Sequence, residues 1–218
     1  MKVLELFCGT GSVSKICDNL GWECISVDIN DKLFYKELDY KIDILKLDYQ
    51  KEFEIGEFDI IWASPPCASF SSMLNIHKHI DIQKRMAEEG LPLLYKARQI
   101  IDYLKPKYYF IENPKTGRMK NFINDLPFYD VCYCRYGFTY KKPTRIWTNL
   151  ENFNALYCNH KGKHEDAIGM TRTGEKKIHP IYKGRKNKNY CNNLKLYEKY
   201  SIPAELIEKL FLTIINSS

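Results

Sequence analysis

The sequence predicts an α/β protein built on a doubly wound, mostly parallel sheet, with a small, irregular, basic lobe. Three observations carry this. Short apolar runs (Val3 to Phe7, Cys24 to Val27, Phe58 to Ala63, Tyr108 to Ile111) alternate with helical stretches in the first half, the pattern of a parallel sheet. A Gly-rich turn, Cys8-Gly9-Thr10-Gly11, joins the first run to a helix. The later runs end in polar or reactive residues, namely Asp28, Pro65-Pro66-Cys67 and Glu112-Asn113-Pro114. Ligands of doubly wound sheets bind outside the carboxyl ends of the strands.

The elements follow in order. After the Gly-rich turn, Val13, Ile16, Cys17 and Leu20 recur at helical spacing, and Gly21 is placed to end the helix. Cys24 to Val27 then completes a βαβ start. Residues 68–82 carry several serines and two histidines without a period, as a loop would. Residues 83–104 read as helix with a break at Gly90 or Pro92. Tyr129 to Tyr136 and Thr144 to Leu150 form an expected antiparallel pair. Residues 151–193 are polar, basic and weakly periodic. A last helix starts near Pro203 with Leu206, Ile207, Leu210, Phe211 and Ile214 on one face.

Composition bounds the function classes. A chain of 218 residues, 44% hydrophobic and 28% charged, suits a globular protein with an adequate core. No apolar run reaches the roughly 18 residues of a membrane span, and Glu5 interrupts the opening apolar stretch, unlike a signal peptide. Eight cysteines in such a chain are expected as reduced thiols in an intracellular, cytoplasmic setting. Charge is uneven: residues 1–112 hold 14 Lys+Arg and 18 Asp+Glu, and residues 113–218 hold 19 and 9. The second half therefore suits a polyanion, or is a solubilising surface.

Four strand ends hold the candidate chemistry. Gly9 and Gly11 let a backbone approach a ligand at a helix start. Asp28 follows Gly9 by 19 residues, close to the spacing of an acid that binds ribose hydroxyls. Ser14 stands where a third glycine would favour a pyrophosphate, which points to a nucleoside ligand without phosphates. Two prolines aim Cys67 rigidly, as a nucleophile would need; a buried structural thiol is the alternative. Glu112 ends an apolar strand, either as a solvated acid or as a proton-sharing carboxyl in a partly dry pocket. Arg145 offers a donor fork for an anion or a base, or is a surface arginine. Cys158, His160 and His164, with Cys191 further on, do not have a standard zinc spacing, and no metal is assigned.

As a set, these residues resemble the DNA (cytosine-5) methyltransferase family, in a compact form like phage or large-virus members. Leu6-Phe7-Cys8-Gly9-Thr10-Gly11 resembles its S-adenosylmethionine motif, and Asp28 with Ile29 its ribose-binding acid. Asp43-Ile44 resembles the pair beside the adenine, with Asp48 as a rival. Pro65-Pro66-Cys67 resembles the catalytic motif, Glu112-Asn113 the second catalytic motif, and Tyr136-Gly137 through Arg145 the arginine motif. The resemblance implies a Rossmann-like methyltransferase fold and three parts: a catalytic domain over 1–150, a target-recognition lobe over 151–193, and a C-terminal helix over 194–218 returning to the catalytic domain. It further implies that Cys67 attacks C6 of a flipped cytosine, that Glu112 binds the base, and that Arg145 helps hold it. S-adenosylmethionine would lie along Phe7, Cys8, Gly9, Thr10, Gly11, Asp28, Ile29, Asp43, Ile44 and Pro65. The partner would be DNA, double-stranded, gripped by the basic half of a monomer. The chain departs from the pattern at Pro114, where valine is usual, and in an irregular arginine motif with Lys141 or Lys142 at another arginine's place. An RNA cytosine methyltransferase, and an inactive nucleic-acid-binding relative, are the competing readings.

Overall fold

The computed structural model describes residues 1–71, 81–138, 140–158 and 200–217, with the backbone of 169–170 and 176–177. Most of the expected lobe, including His160, His164 and Cys191, and residues 72–80 of the expected loop lie outside the described residues.

Seven strands form one sheet. They are β1 (Lys2–Leu6), β2 (Glu23–Asp28), β3 (Tyr40–Lys41), β4 (Ile60–Ala63), β5 (Tyr108–Pro114), β6 (Phe128–Cys132) and β7 (Pro143–Thr148). Their order is β3-β2-β1-β4-β5-β7-β6. The first five run parallel, and β7 runs antiparallel to both β5 and β6. The order reverses between β1 and β4, which opens a crevice at their carboxyl ends. A separate antiparallel pair, β8 (Gly169–Met170) and β9 (Lys176–Lys177), lies within the basic stretch.

Strand residues alternate between two packed faces. On one face Val3, Ile60, Trp62 and Phe110 meet Val13, Ile16 and Cys17 of α1 (Ser12–Leu20) and the apolar stripe of a C-terminal helix, Ala204–Asn216. All five stripe residues expected there are buried, and Phe211 packs on Trp22 with ring centroids 5.0 Å apart. On the other face Leu4, Leu6, Ile61, Ala63 and Ile111 meet Leu94, Ala97, Ile100 and Leu104 of Leu91–Leu104. Full burial of such side chains contributes about 1.5–3 kcal/mol each before ordering costs.

Several expectations shift. Leu20 is exposed, because it lies in the last turn of α1, where the chain leaves the sheet at Gly21. The expected break in 83–104 is a π-helical turn, Met86–Gly90, that separates a short helix, Ile82–Arg85, from Leu91–Leu104. β5 continues past Ile111 through Glu112–Pro114 because β7 pairs with it there. The strand expected to reach Tyr136 stops at Cys132 and winds into a 3₁₀ turn, Tyr133–Arg135. No helix of the described residues is long and apolar enough to cross a membrane.

Candidate active site

A cavity of about 410 Å³ opens at the carboxyl ends of β1, β2, β4 and β5. Its first wall is the Gly-rich turn. Phe7 adopts φ 60, and its N–H and that of Cys8 both donate to Val27 O. Gly11 needs its φ of +67, and a Cβ there would lie 2.6 Å from the Phe34 ring, which covers the turn. Beneath it Glu5 is buried, and it accepts from Val13 N at 3.2 Å, Ser14 N at 2.9 Å and the Ser14 hydroxyl. Burial raises the Glu5 pKa to about 7 despite these bonds. Glu5 thus braces the helix start, a role the sequence reading did not assign.

Asp28 accepts from Gly9 N at 2.9 Å and Asn30 N at 3.1 Å, which ties the end of β2 to the glycine turn. Asp28, Ile29, Asp43 and Ile44 all line the cavity, whereas Asp48 does not. Asp43 also caps the 3₁₀ turn Ile44–Lys46 by accepting from Leu45 N at 3.0 Å. Phe7, Cys8, Gly9, Thr10 and Pro65 line it too. Gly11 does not: it shapes the turn from behind.

The opposite wall carries the reactive groups. Cys67 is half-buried where the two-proline turn leaves β4, just before the 3₁₀ turn Ala68–Phe70. That turn is clamped from three sides. Phe70 is fully buried against Gly90, where an added Cβ would meet its ring at 2.8 Å. Ser69 donates to Glu89 at 3.0 Å, and Arg118 donates through its backbone to Phe70 O and through its side chain to Ser71 O, each at 2.9 Å. Asn113 donates to Pro65 O at 2.8 Å and so joins β5 to the proline turn. Its Oδ1 is buried with no partner among the described residues.

Glu112 is buried beside Cys67 on the same cavity wall, and accepts from the Tyr133 hydroxyl at 2.8 Å. Burial, and then the charge of Glu112, hold the Tyr133 proton well beyond its ordinary range, so Tyr133 acts there only as a donor. Burial also raises the Cys67 thiol, Glu112 adds to this, and Lys142 opposes it. Tyr133 and the wall residues Leu93, Tyr200 and Ile202 carried no sequence signal. Ile202 N donates to Ser12 Oγ at 3.0 Å, which brings the start of the C-terminal segment onto the glycine turn.

Arg145 is not brought to this wall. It pairs with Asn113 in the β5–β7 register, while Ile146 pairs with Glu112. Opposed residues of an antiparallel pair share a face and neighbours along the strand alternate, so Arg145 and Glu112 face opposite sides. Arg145 forks onto Asp130 at 2.7 and 3.0 Å and lies 3.6 Å from the Phe128 ring centroid. Among the described residues, the cation that does line the cavity is Lys142.

Comparison with known proteins places the chain among its relatives. A family model described as C-5 cytosine-specific DNA methylase matches residues 1–125, a span that includes Cys67 and Glu112. The chain is 45% identical over 166 residues to a protein of Frog virus 3 (isolate Goorha) described as a probable DNA (cytosine-5)-methyltransferase, covering 72% of this chain and 75% of that one. It is 28% identical over 119 residues to the Type II methyltransferase M.FnuDI of Fusobacterium nucleatum, covering 53% of this chain and 33% of that one. Among solved structures, the Entamoeba histolytica methyltransferase EhMeth superposes with a TM-score of 0.49 at 19% identity, covering 75% of this chain and 58% of that one. A Spodoptera frugiperda DNMT2 variant gives 0.46 at 21%, covering 73% and 53%. By its matched family model and its viral relative, the chain belongs to the C-5 cytosine-specific DNA methylase family.

Proposed function

We propose that this chain, acting as a monomer on double-stranded DNA, methylates C5 of a flipped-out cytosine with Cys67 as nucleophile and S-adenosylmethionine as methyl donor. The observation that carries this is that Cys67 and Glu112 line one cavity together with the Gly-rich turn, near enough for the charge of Glu112 to act on the thiol.

The donor set suits S-adenosylmethionine. Asp28 and Asp43 offer carboxylates to ribose hydroxyls and to an amine, and Phe7, Ile29 and Ile44 offer apolar contact to a base. Among the described residues the lining holds Glu5, Asp28, Asp43 and Glu112 and one cation, Lys142, so it favours a cationic nucleoside over a phosphate. Bound there, the sulfonium supplies an electrophilic methyl group.

Cytosine C5 is a poor nucleophile alone. Cys67 adds as thiolate to C6, and Glu112 holds N3 and the exocyclic amine while the ring takes up a proton at N3. The C5–C6 double-bond electrons then become available at C5, which accepts the methyl. Loss of the C5 proton to solvent restores the double bond and expels Cys67 as thiolate, and N3 gives back the proton it took up. A base within a duplex is out of reach of a thiol in such a cavity, so the cytosine must leave the stack. Arg145, on the far face of β7, acts as a brace through Asp130, and Lys142 supplies the local positive charge. The basic second half grips phosphates without reading sequence.

The test is mass spectrometry of nucleosides after duplex DNA, single-stranded DNA or RNA is incubated with the protein and S-adenosylmethionine, with Cys67→Ser as control. 5-Methylcytosine in duplex DNA, absent with Cys67→Ser, is expected. Product only in RNA, or product that survives the substitution, overturns the reading.

A further inference from the structure

Three cysteines outside the catalytic cavity converge. Cys132 ends β6, Cys134 sits in the following 3₁₀ turn, and Cys158 arrives from the stretch after β7. All three are buried, none forms a disulfide, and their sulfurs lie within 4.8 Å of one another. Cys132 Sγ and Cys134 Sγ are 3.2 Å apart. Four thiolates at about 2.3 Å from a tetrahedral zinc stand about 3.8 Å from each other, so sulfurs with one pair at 3.2 Å and all within 4.8 Å are close enough for one ion to reach all three.

The backbone prepares this convergence. The 3₁₀ turn sends Tyr133 toward Glu112 while the cysteines on either side of it meet each other. Cys132 N donates to Leu156 O at 3.1 Å, and Leu156 N donates to the Tyr136 hydroxyl at 2.8 Å. These bonds set Cys158 against β6 by a route independent of the sulfurs. A disulfide can use only two of the three thiols, and buried thiols that serve only as small apolar groups have no need to converge. Soft thiolates select zinc over the oxygen-preferring cations.

We propose that Cys132, Cys134 and Cys158 form a structural zinc site that fastens the stretch leaving β7 to the end of β6. None of the three lines the catalytic cavity, so the ion takes no part in methyl transfer. It ties the 3₁₀ turn that carries Tyr133 to the chain leading into the basic segment.

The experiment is elemental analysis of the full chain purified without chelator, together with cobalt(II) titration of chelator-treated protein. About one zinc per chain is expected, and cobalt should give thiolate charge-transfer bands with the intense visible bands of a four-coordinate ion. Cys134→Ser and Cys158→Ser should each lose most of the metal, while Cys67→Ser should keep it. The cobalt titration of the unaltered protein stands even where a serine variant fails to fold. Zinc no higher than the buffer blank with no cobalt bands, all eight thiols remaining titratable, overturns the site. So does full metal content in both serine variants.

Discussion

In the parallel half of the sheet, the residues of the site lie at or just past strand ends: the glycine turn after β1, Asp28 at the end of β2, Cys67 after β4. At the antiparallel edge, Arg145 lies inside β7, and its direction is set by pairing with β5 and β6. A residue beyond a strand end is free to line the crevice whichever face the last strand residue took. A residue within a strand must obey alternation, and one step of register moves it across the sheet. The glycine turn, Asp28 and Cys67 are therefore open to motif reading, whereas Glu112, inside β5 and paired with Ile146, is found by its motif but aimed by register, as Arg145 is.

The sharpest way to break this comparison is at Cys67. Cys67→Ser should abolish methyl transfer, with thermal stability little changed because the thiol is only half-buried; radiolabelled methyl incorporation and a melting curve measure both. Glu112→Gln should lower turnover by roughly 10²–10⁴-fold, the usual range for a lost acid–base group. Single-turnover kinetics would show the loss in the chemical step rather than in cofactor binding.

Glu5 tests the support under the glycine turn. Its folded pKa of about 7 lies above the ordinary glutamate value of 4.5, so between these pH values the folded state binds more protons than the unfolded state. Stability should fall as pH rises through this window, by about 3 kcal/mol in total. Urea unfolding at pH 5 and 7.5 should show this slope, and Glu5→Gln should flatten it.

Lys142 and Arg145 sharpen the comparison directly. Lys142→Gln removes the charge that opposes the rise of the Cys67 thiol. It should slow alkylation of Cys67 at fixed pH by up to about tenfold. In the unaltered protein, that alkylation should keep rising above the ordinary thiol pKa of about 8.5. Arg145→Gln should leave the alkylation rate alone and cost about 1–2 kcal/mol of stability through its lost fork to Asp130. The opposite pattern would restore Arg145 to the site.

Much of the fold was legible because its signals are local. The Val13, Ile16, Cys17 spacing, Gly21 at the end of α1, and the stripe from Leu206 to Ile214 report elements from a few neighbouring residues. Phe7 to Gly11, Asp28, Cys67 and Glu112 were legible in the same way, since each lies at the end of, or just after, a short apolar run of sequence. Tyr133 was not, because nothing near it in sequence announces Glu112, 21 residues earlier. Nor was the meeting of Cys132 and Cys134 with Cys158, whose sequence neighbourhood points instead to His160 and His164.

By itself the sequence determined the class of sheet, the glycine turn, and a cysteine and a carboxyl placed after apolar runs, because periodicity and proline or glycine geometry act over a few residues. Only the tertiary structure decided that β7 enters between β5 and β6, that Arg145 turns to Asp130 and Lys142 to the cavity, and that Cys158 joins Cys132 and Cys134 in one place. Those outcomes depend on register and long-range pairing, in which a shift of one residue exchanges one face of the sheet for the other.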